Sequence, residues 1–143
     1  MIKLDFSERI QAPVERVFEY ATDPDTAAEW QDGVIESRKT PSGQTQAGTT
    51  MRTVRVLMGQ RLESTAEITE YVPNQKYALK TTGGPVQFQL RQTFTPDGDG
   101  TRMDTHVEME PGGSMEVAEP VVARSLREQM ENNARKLKEI LES

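Results

Sequence analysis

Residues 109–143 read MEPGGSMEVAEPVVARSLREQMENNARKLKEILES, and this closing stretch decides the fold. From Ser114 onward it has the pattern of one long amphipathic helix. Met115, Ala118, Val122, Leu126, Met130 (or Gln129), Leu137 and Leu141 (or Ile140) share one face, and Arg124, Arg127, Glu128, Glu131, Arg135 and Lys138 fill the rest. Ser114 is placed to cap the start, with Glu116 and Glu119 near the positive end of the helix dipole. Glu131 and Arg135 have the spacing of an i,i+4 ion pair. Pro120 falls inside the pattern, which predicts a kink or a loose first turn. Gly112-Gly113 permits a sharp redirection before the helix, either as a plain corner or as a hinge. About 27 residues at 1.5 Å rise span roughly 40 Å. Burying about seven such side chains contributes on the order of 10–20 kcal/mol before entropy, so the helix must lie against an apolar surface.

That surface is written in the residues before it. KLDFSERI alternates apolar and polar positions as a strand does. APVERVFEYATDP reads as a short helix with Pro13 as its first residue and Asp23-Pro24 as its end. DTAAEWQDG reads as a second short helix, capped by Asp25 or Thr26 and stopped at Gly33. Strand patterns then follow one another: VIESRKT, TTMRTVRVLM, RLESTAEITEYV, KYALKTT, VQFQLRQTF and TRMDTHVEME. Turn residues separate them, with Gly59-Gln60, PNQ, GGP and PDGDG as the shortest connections. The order is strand, two short helices, six strands, long helix. It predicts an α+β fold built on an antiparallel meander of seven strands, in one domain over residues 1–143.

Alternation assigns the inner face. Val86, Phe88, Leu90 and Phe94 point one way; Met103, Val107 and Met109, then Leu62, Ala66 and Ile68, do the same on their strands. Val54, Val56 and Met58 are taken as inward, which makes Arg52 the inward arginine. It sits either at a cavity mouth, ready for a carboxylate or phenolate, or with its head snorkelling to water. The same faces carry Ser64, Ala66, Gln92 and Thr105, with Tyr77, Leu79 and Thr81 on the neighbouring strand. Apolar residues make up only 34% of the chain, so a long sheet facing one helix is under-filled. Two readings follow: a ligand cavity with apolar walls and a few polar groups, or a core completed by buried water. Trp30, the single tryptophan, is either a core anchor or a wall of the cavity mouth.

Composition excludes several function classes. There is no cysteine, so neither disulfides nor thiolate chemistry is available. The net charge is −6 with the arginines scattered, which argues against nucleic acid. MIKLDFSERI holds no apolar run of signal-peptide length, and no window approaches the ~20 apolar residues of a membrane span. The expectation is a cytoplasmic protein without stable membrane insertion. His106 is the only histidine; with Asp104 and Glu108 it falls on the outer strand face, as a solvated charge ladder. One histidine without cysteine is a poor metal set, and PDGDG lacks the downstream glutamate of a calcium loop. No nucleophile elbow, phosphate loop or dinucleotide glycine pattern occurs. No cofactor is expected.

With this order in place, the chain resembles the START-like (SRPBCC) superfamily, the polyketide cyclase/dehydrase and lipid transport group with the helix-grip fold of the birch pollen allergen. The resemblance is carried by ERIQAPVERVFEYATDPDTAAEW, EITEYVPNQKYALKTTGGP, QTFTPDGDGTRM and EPVVARSLREQMENNARKLKEILE. It implies a seven-stranded antiparallel sheet curled around the long C-terminal helix, two short helices between strands 1 and 2, and an internal cavity for apolar ligands. It implies no shared catalytic residue. Where two glycines often precede the third strand in that group, this chain has Gly48 alone. Three functions stay open: a binder or carrier of a hydrophobic or amphipathic small molecule, a polyketide cyclase or dehydratase, and a protein-interaction module with a filled core. A homodimer is left open as well. The expected ligand contacts are Trp30, Arg52, Val54, Val56, Met58, Leu62, Ser64, Tyr77, Leu79, Phe88, Leu90, Gln92, Met103, Thr105, Val107, Met115, Ala118, Val122 and Leu126.

Overall fold

A computed structural model describes residues 2–31, 34–39, 46–57, 59–84, 87–110 and 119–143. The expectations for Gly33, Met58, Val86, Gly112-Gly113, Ser114, Met115, Glu116 and Ala118 lie outside the described residues. The elements are β1 (Ile2–Ile10), α1 (Val14–Thr22), a 3₁₀ turn (Pro24–Thr26), α2 (Ala27–Trp30), β2 (Val34–Lys39), β3 (Thr50–Leu57), β4 (Gln60–Val72), β5 (Lys76–Gly83), β6 (Gln87–Asp97), β7 (Gly100–Glu110) and α3 (Glu119–Glu142).

The strands form one antiparallel sheet in the order β1-β7-β6-β5-β4-β3-β2. From β3 to β7 the meander is joined by connections of two or three residues. Asp97 pairs with Gly100 across a two-residue loop, and Gly98 takes φ 64° there, which glycine reaches without strain. Two register shifts interrupt the β4–β5 ladder, between Thr65 and Ala66 and between Ile68 and Glu70. Such bulges bend a strand and raise its twist, which suits the 13-residue β4 to a curled sheet. β1 and β2 are consecutive in the chain yet lie on opposite edges. The α1–α2 segment therefore has to cross from one edge to the other, along the open side of the curl. This is the helix-grip arrangement.

Local chemistry differs from the sequence reading at three points. Pro13 is the N-cap of α1 (φ −63°, ψ 150°), one residue before the helix. Thr26 is the N-cap residue of α2 but makes no side-chain capping bond, and it is Asp23 that caps the preceding 3₁₀ turn, accepting the Asp25 N–H at 2.9 Å. The Thr26 hydroxyl instead donates to the Tyr20 carbonyl at 2.8 Å. α3 is described from Glu119, so the kink or loose turn expected at Pro120 falls at the edge of the described residues. Glu131 pairs with Arg127 at 3.5 Å, and Arg135 turns to Asn132.

α3 buries Val122, Leu126, Asn133, Ala134, Leu137 and Leu141. At ~1.5–3 kcal/mol for each large apolar side chain, Val122, Leu126, Leu137 and Leu141 anchor it firmly. Its C-terminus is tied to the β1–α1 corner. Lys138 Nζ donates to the Arg9 carbonyl at 2.9 Å, and the Glu142 carboxylate accepts from the Gln11 N–H at 2.8 Å. The inner side chains form two clusters. One gathers α1, Trp30, Ile68, Tyr77, Phe94 and the end of α3, with Phe18 edge-on to Phe94 and Tyr71. The other gathers Ile2, Leu4, Val107, Met109, Val122 and Leu126.

Candidate functional site

Between the two clusters the sheet and α3 leave a cavity of about 140 Å³. One water needs only ~10–15 Å³ of such room, so this is no packing defect. Of the residues expected from the sequence, Trp30, Leu62, Ser64, Tyr77, Leu79, Phe88, Leu90, Gln92, Met103, Thr105 and Leu126 line it. Val107 and Val122 are buried in the second cluster, behind its surface.

Arg52, Val54 and Val56 do not face the cavity. Leu57 pairs with Gln60, leaving a two-residue connection, with Gln60 already in β4. A two-residue turn pairs odd-numbered residues of β3 with even-numbered residues of β4. Leu62, Ser64 and Ala66 point inward, so their partners Arg55, Thr53 and Met51 do too, and all six line the cavity. Val54 is buried on the opposite face, between its cross-strand neighbours Glu36 and Glu63. Arg52 bridges those two carboxylates at 3.1 and 2.8 Å. Its expected place at the cavity mouth therefore passes to Arg55.

Arg55 was the other arginine of an ambiguous strand, and the turn parity is the signal that identifies it. Its Cζ lies 5.9 Å from the centre of the Phe88 ring. β3 and β6 are three strands apart, roughly 14 Å on a flat sheet, so the curl brings the two side chains together over the cavity. Burial pushes the Arg55 guanidinium below its ordinary pKa, though an arginine stays charged at neutral pH. Among the described residues it has no hydrogen bond or ion pair.

The other polar groups of the wall are satisfied to different degrees. The Tyr77 hydroxyl reaches only the Met51 sulfur, at 3.8 Å, and burial raises its pKa well above the ordinary value, so it stays protonated. Gln92 Nε2 faces the Met103 sulfur at 3.8 Å and the Thr105 hydroxyl at 3.5 Å. Trp30 is 6% exposed, and its Nε1–H is the one buried side-chain polar atom left without a partner among the described residues. The described lining contains no histidine, lysine or glutamate; its one carboxylate is Asp23, which caps the 3₁₀ turn. Beyond Trp30, the sequence reading missed the α1–α2 side of the wall, with Asp23 and Gln31, and Asn133 of α3. His106 lies on the outer face, with Nδ1 at 2.6 Å from Asp5 and Nε2 at 3.4 Å from Glu108.

Residues 1–142 match the family described as polyketide cyclase / dehydrase and lipid transport. The chain belongs to that family. No protein of curated function matches it in sequence. Solved structures similar to this polyketide cyclase/lipid transport family member span nearly its whole length. TTHA0849 from Thermus thermophilus is 22% identical, with TM-score 0.83 over 96% of this chain and 94% of that one. A START superfamily protein from Mycobacterium smegmatis is 15% identical, with TM-score 0.80 over 99% and 98%. The Zhui aromatase/cyclase from Streptomyces sp. R1128 is 13% identical, with TM-score 0.81 over 98% and 93%. At these identities the likeness establishes the fold. No helix among the described residues is long and apolar enough to cross a membrane.

Proposed function

We propose that this chain binds a hydrophobic or amphipathic small molecule in the cavity between the curled sheet and α3, as a carrier or binding protein. The observation that carries the reading is a gap of about 140 Å³ between two well-packed apolar clusters. Left empty, such a gap costs roughly 3 kcal/mol at ~24 cal/mol per Å³. A folded chain keeps that cost where a ligand relieves it. Membership of a family described by polyketide cyclisation and lipid transport supports the same reading.

A cyclase-type enzyme is the second reading the family allows, and the wall favours it less. Its titratable groups are Asp23, Arg55 and Tyr77, and Tyr77 is held protonated. That leaves hydrogen-bond donors to orient a molecule, and little for proton abstraction.

Native mass spectrometry of freshly purified protein, followed by solvent extraction, tests the proposal. We expect a bound molecule of modest mass that is absent from Leu90→Arg, a variant whose charge would stand in the middle of the cavity. Uptake of the neutral dye N-phenyl-1-naphthylamine, read by energy transfer from Trp30, gives a second measure. A protein that is empty and takes up no dye would leave the interaction-module reading in the lead.

A further inference from the structure

The cavity wall carries a polar asymmetry that a binder of neutral oils does not need. Arg55 projects from β3 among Leu62, Phe88 and other apolar side chains. The other inward positions of β3 are the neutral Met51 and Thr53. A guanidinium in such a wall loses hydration and is ordinarily paired with a carboxylate. This one is not. The nearest arginine in sequence, Arg52, is paired with two carboxylates on the opposite face. The one carboxylate of the described lining, Asp23, accepts the Asp25 N–H and makes no ion pair with Arg55. The Arg55 Cζ stands 5.9 Å from the centre of the Phe88 ring, at the outer edge of cation–π range, and its N–H groups meet no acceptor among the described residues. Trp30 adds a second, independent observation: an indole N–H buried in the same wall with nothing to donate to.

We propose that the cavity is specific for an anionic amphiphile, an apolar or aromatic body bearing one oxyanion head (carboxylate, phenolate or sulfonate), and that Arg55 receives the head. The inference rests on the proposed function and narrows it to a ligand class. The apolar body fills the gap between the clusters while the oxyanion supplies the acceptor that the fold leaves out. Charge-assisted hydrogen bonds of this kind are short, directional and strong away from water. The indole N–H of Trp30 is a further donor to an oxygen of the ligand.

A matched pair of dyes separates this claim from the cavity claim. N-phenyl-1-naphthylamine is neutral, and 8-anilino-1-naphthalenesulfonate is the same ring system with one sulfonate. Both are titrated into the folded protein at moderate salt, with stoichiometry and Trp30 energy transfer recorded. Wild type should bind the sulfonate at one site and at least about tenfold more tightly than the neutral dye, the equivalent of ~1.4 kcal/mol. Arg55→Met should lose that preference while keeping its affinity for the neutral dye, which also reports that the variant is folded. Arg55→Lys should keep part of the preference, and Arg52→Met all of it. Equal binding of both dyes by wild type, or a preference that survives in Arg55→Met, overturns the Arg55 inference and leaves the cavity standing. Binding of neither dye overturns the cavity reading and this inference together. The wild-type comparison decides the matter even if Arg55→Met fails to fold.

Discussion

The two arginines of β3 stand three residues apart and meet opposite environments. Arg52 lies on the outer face, bonded first to Glu63 and then to Glu36, and these partners raise its pKa. Arg55 faces the cavity beside an aromatic ring and, among the described residues, with no anion. Replacing Arg52 by Met should therefore cost a little stability and leave dye binding as it was, measured by urea unfolding and titration. A backbone contact makes a second residue-scale test. A β-carbon added at Gly100 would stand 2.8 Å from the Ile10 carbonyl oxygen, where backbone cannot easily give way. Gly100→Ala should destabilise the protein by about 1–3 kcal/mol, the usual cost of overpacking. An unchanged unfolding midpoint would show that β1 and β7 can part there at no cost.

At the scale of elements, α3 is held by packing along its length and by polar tethers at its end. Leu137 is fully buried in the first cluster. Leu137→Ala should cost about 2–5 kcal/mol in a denaturant titration. The tethers give a pH dependence with a definite sign. The bond from Lys138, then the backbone N–H of Gln11, hold the Glu142 carboxyl below its ordinary 4.5. A lowered pKa means that the fold favours the charged form. The contribution is complete above 4.5 and is lost as the pH falls through the lowered folded value. Amide exchange in the last turn of α3 should accelerate on that acidification. The change should vanish in Lys138→Met if the ion pair is its source. An acid response that persists in the variant would place the sensitivity elsewhere.

For the whole molecule, the cavity sets stability against binding. Ala66 lines it from the middle of β4, opposite Met51. A larger apolar side chain there would occupy the gap without reaching solvent. Ala66→Leu should raise the melting temperature by a few degrees, in keeping with about 1 kcal/mol gained by cavity filling, and weaken dye uptake at least about tenfold. A variant that gains stability and binds as before would show that the dye sits elsewhere. Losing both would mean that the site has no room to spare and is overpacked by one leucine.

The sequence alone determined the order of elements, the antiparallel meander and the apolar stripe of α3. These follow from local rules: alternation with period two, helical spacing, and turn residues that end one run and start the next. It also placed Leu62, Tyr77, Phe88, Leu90, Gln92 and Met103 on the inner face, because their strands alternate cleanly. β3 was different. TMRTVRVL is apolar on both faces and has an arginine on each, so alternation could not choose. The choice was carried by the hairpin turn, whose pairing of Leu57 with Gln60, and so of Arg55 with Leu62, puts the odd-numbered residues of β3 on the inner face. Only the tertiary structure decided that Val54 is buried on the outer face between Glu36 and Glu63, and that Arg55 and Phe88 meet although two strands separate theirs. It also decided that Asp23, Gln31 and Asn133 close the wall. Those are facts of curvature and of which edges the α1–α2 segment joins, and no residue encodes them by its neighbours in the chain.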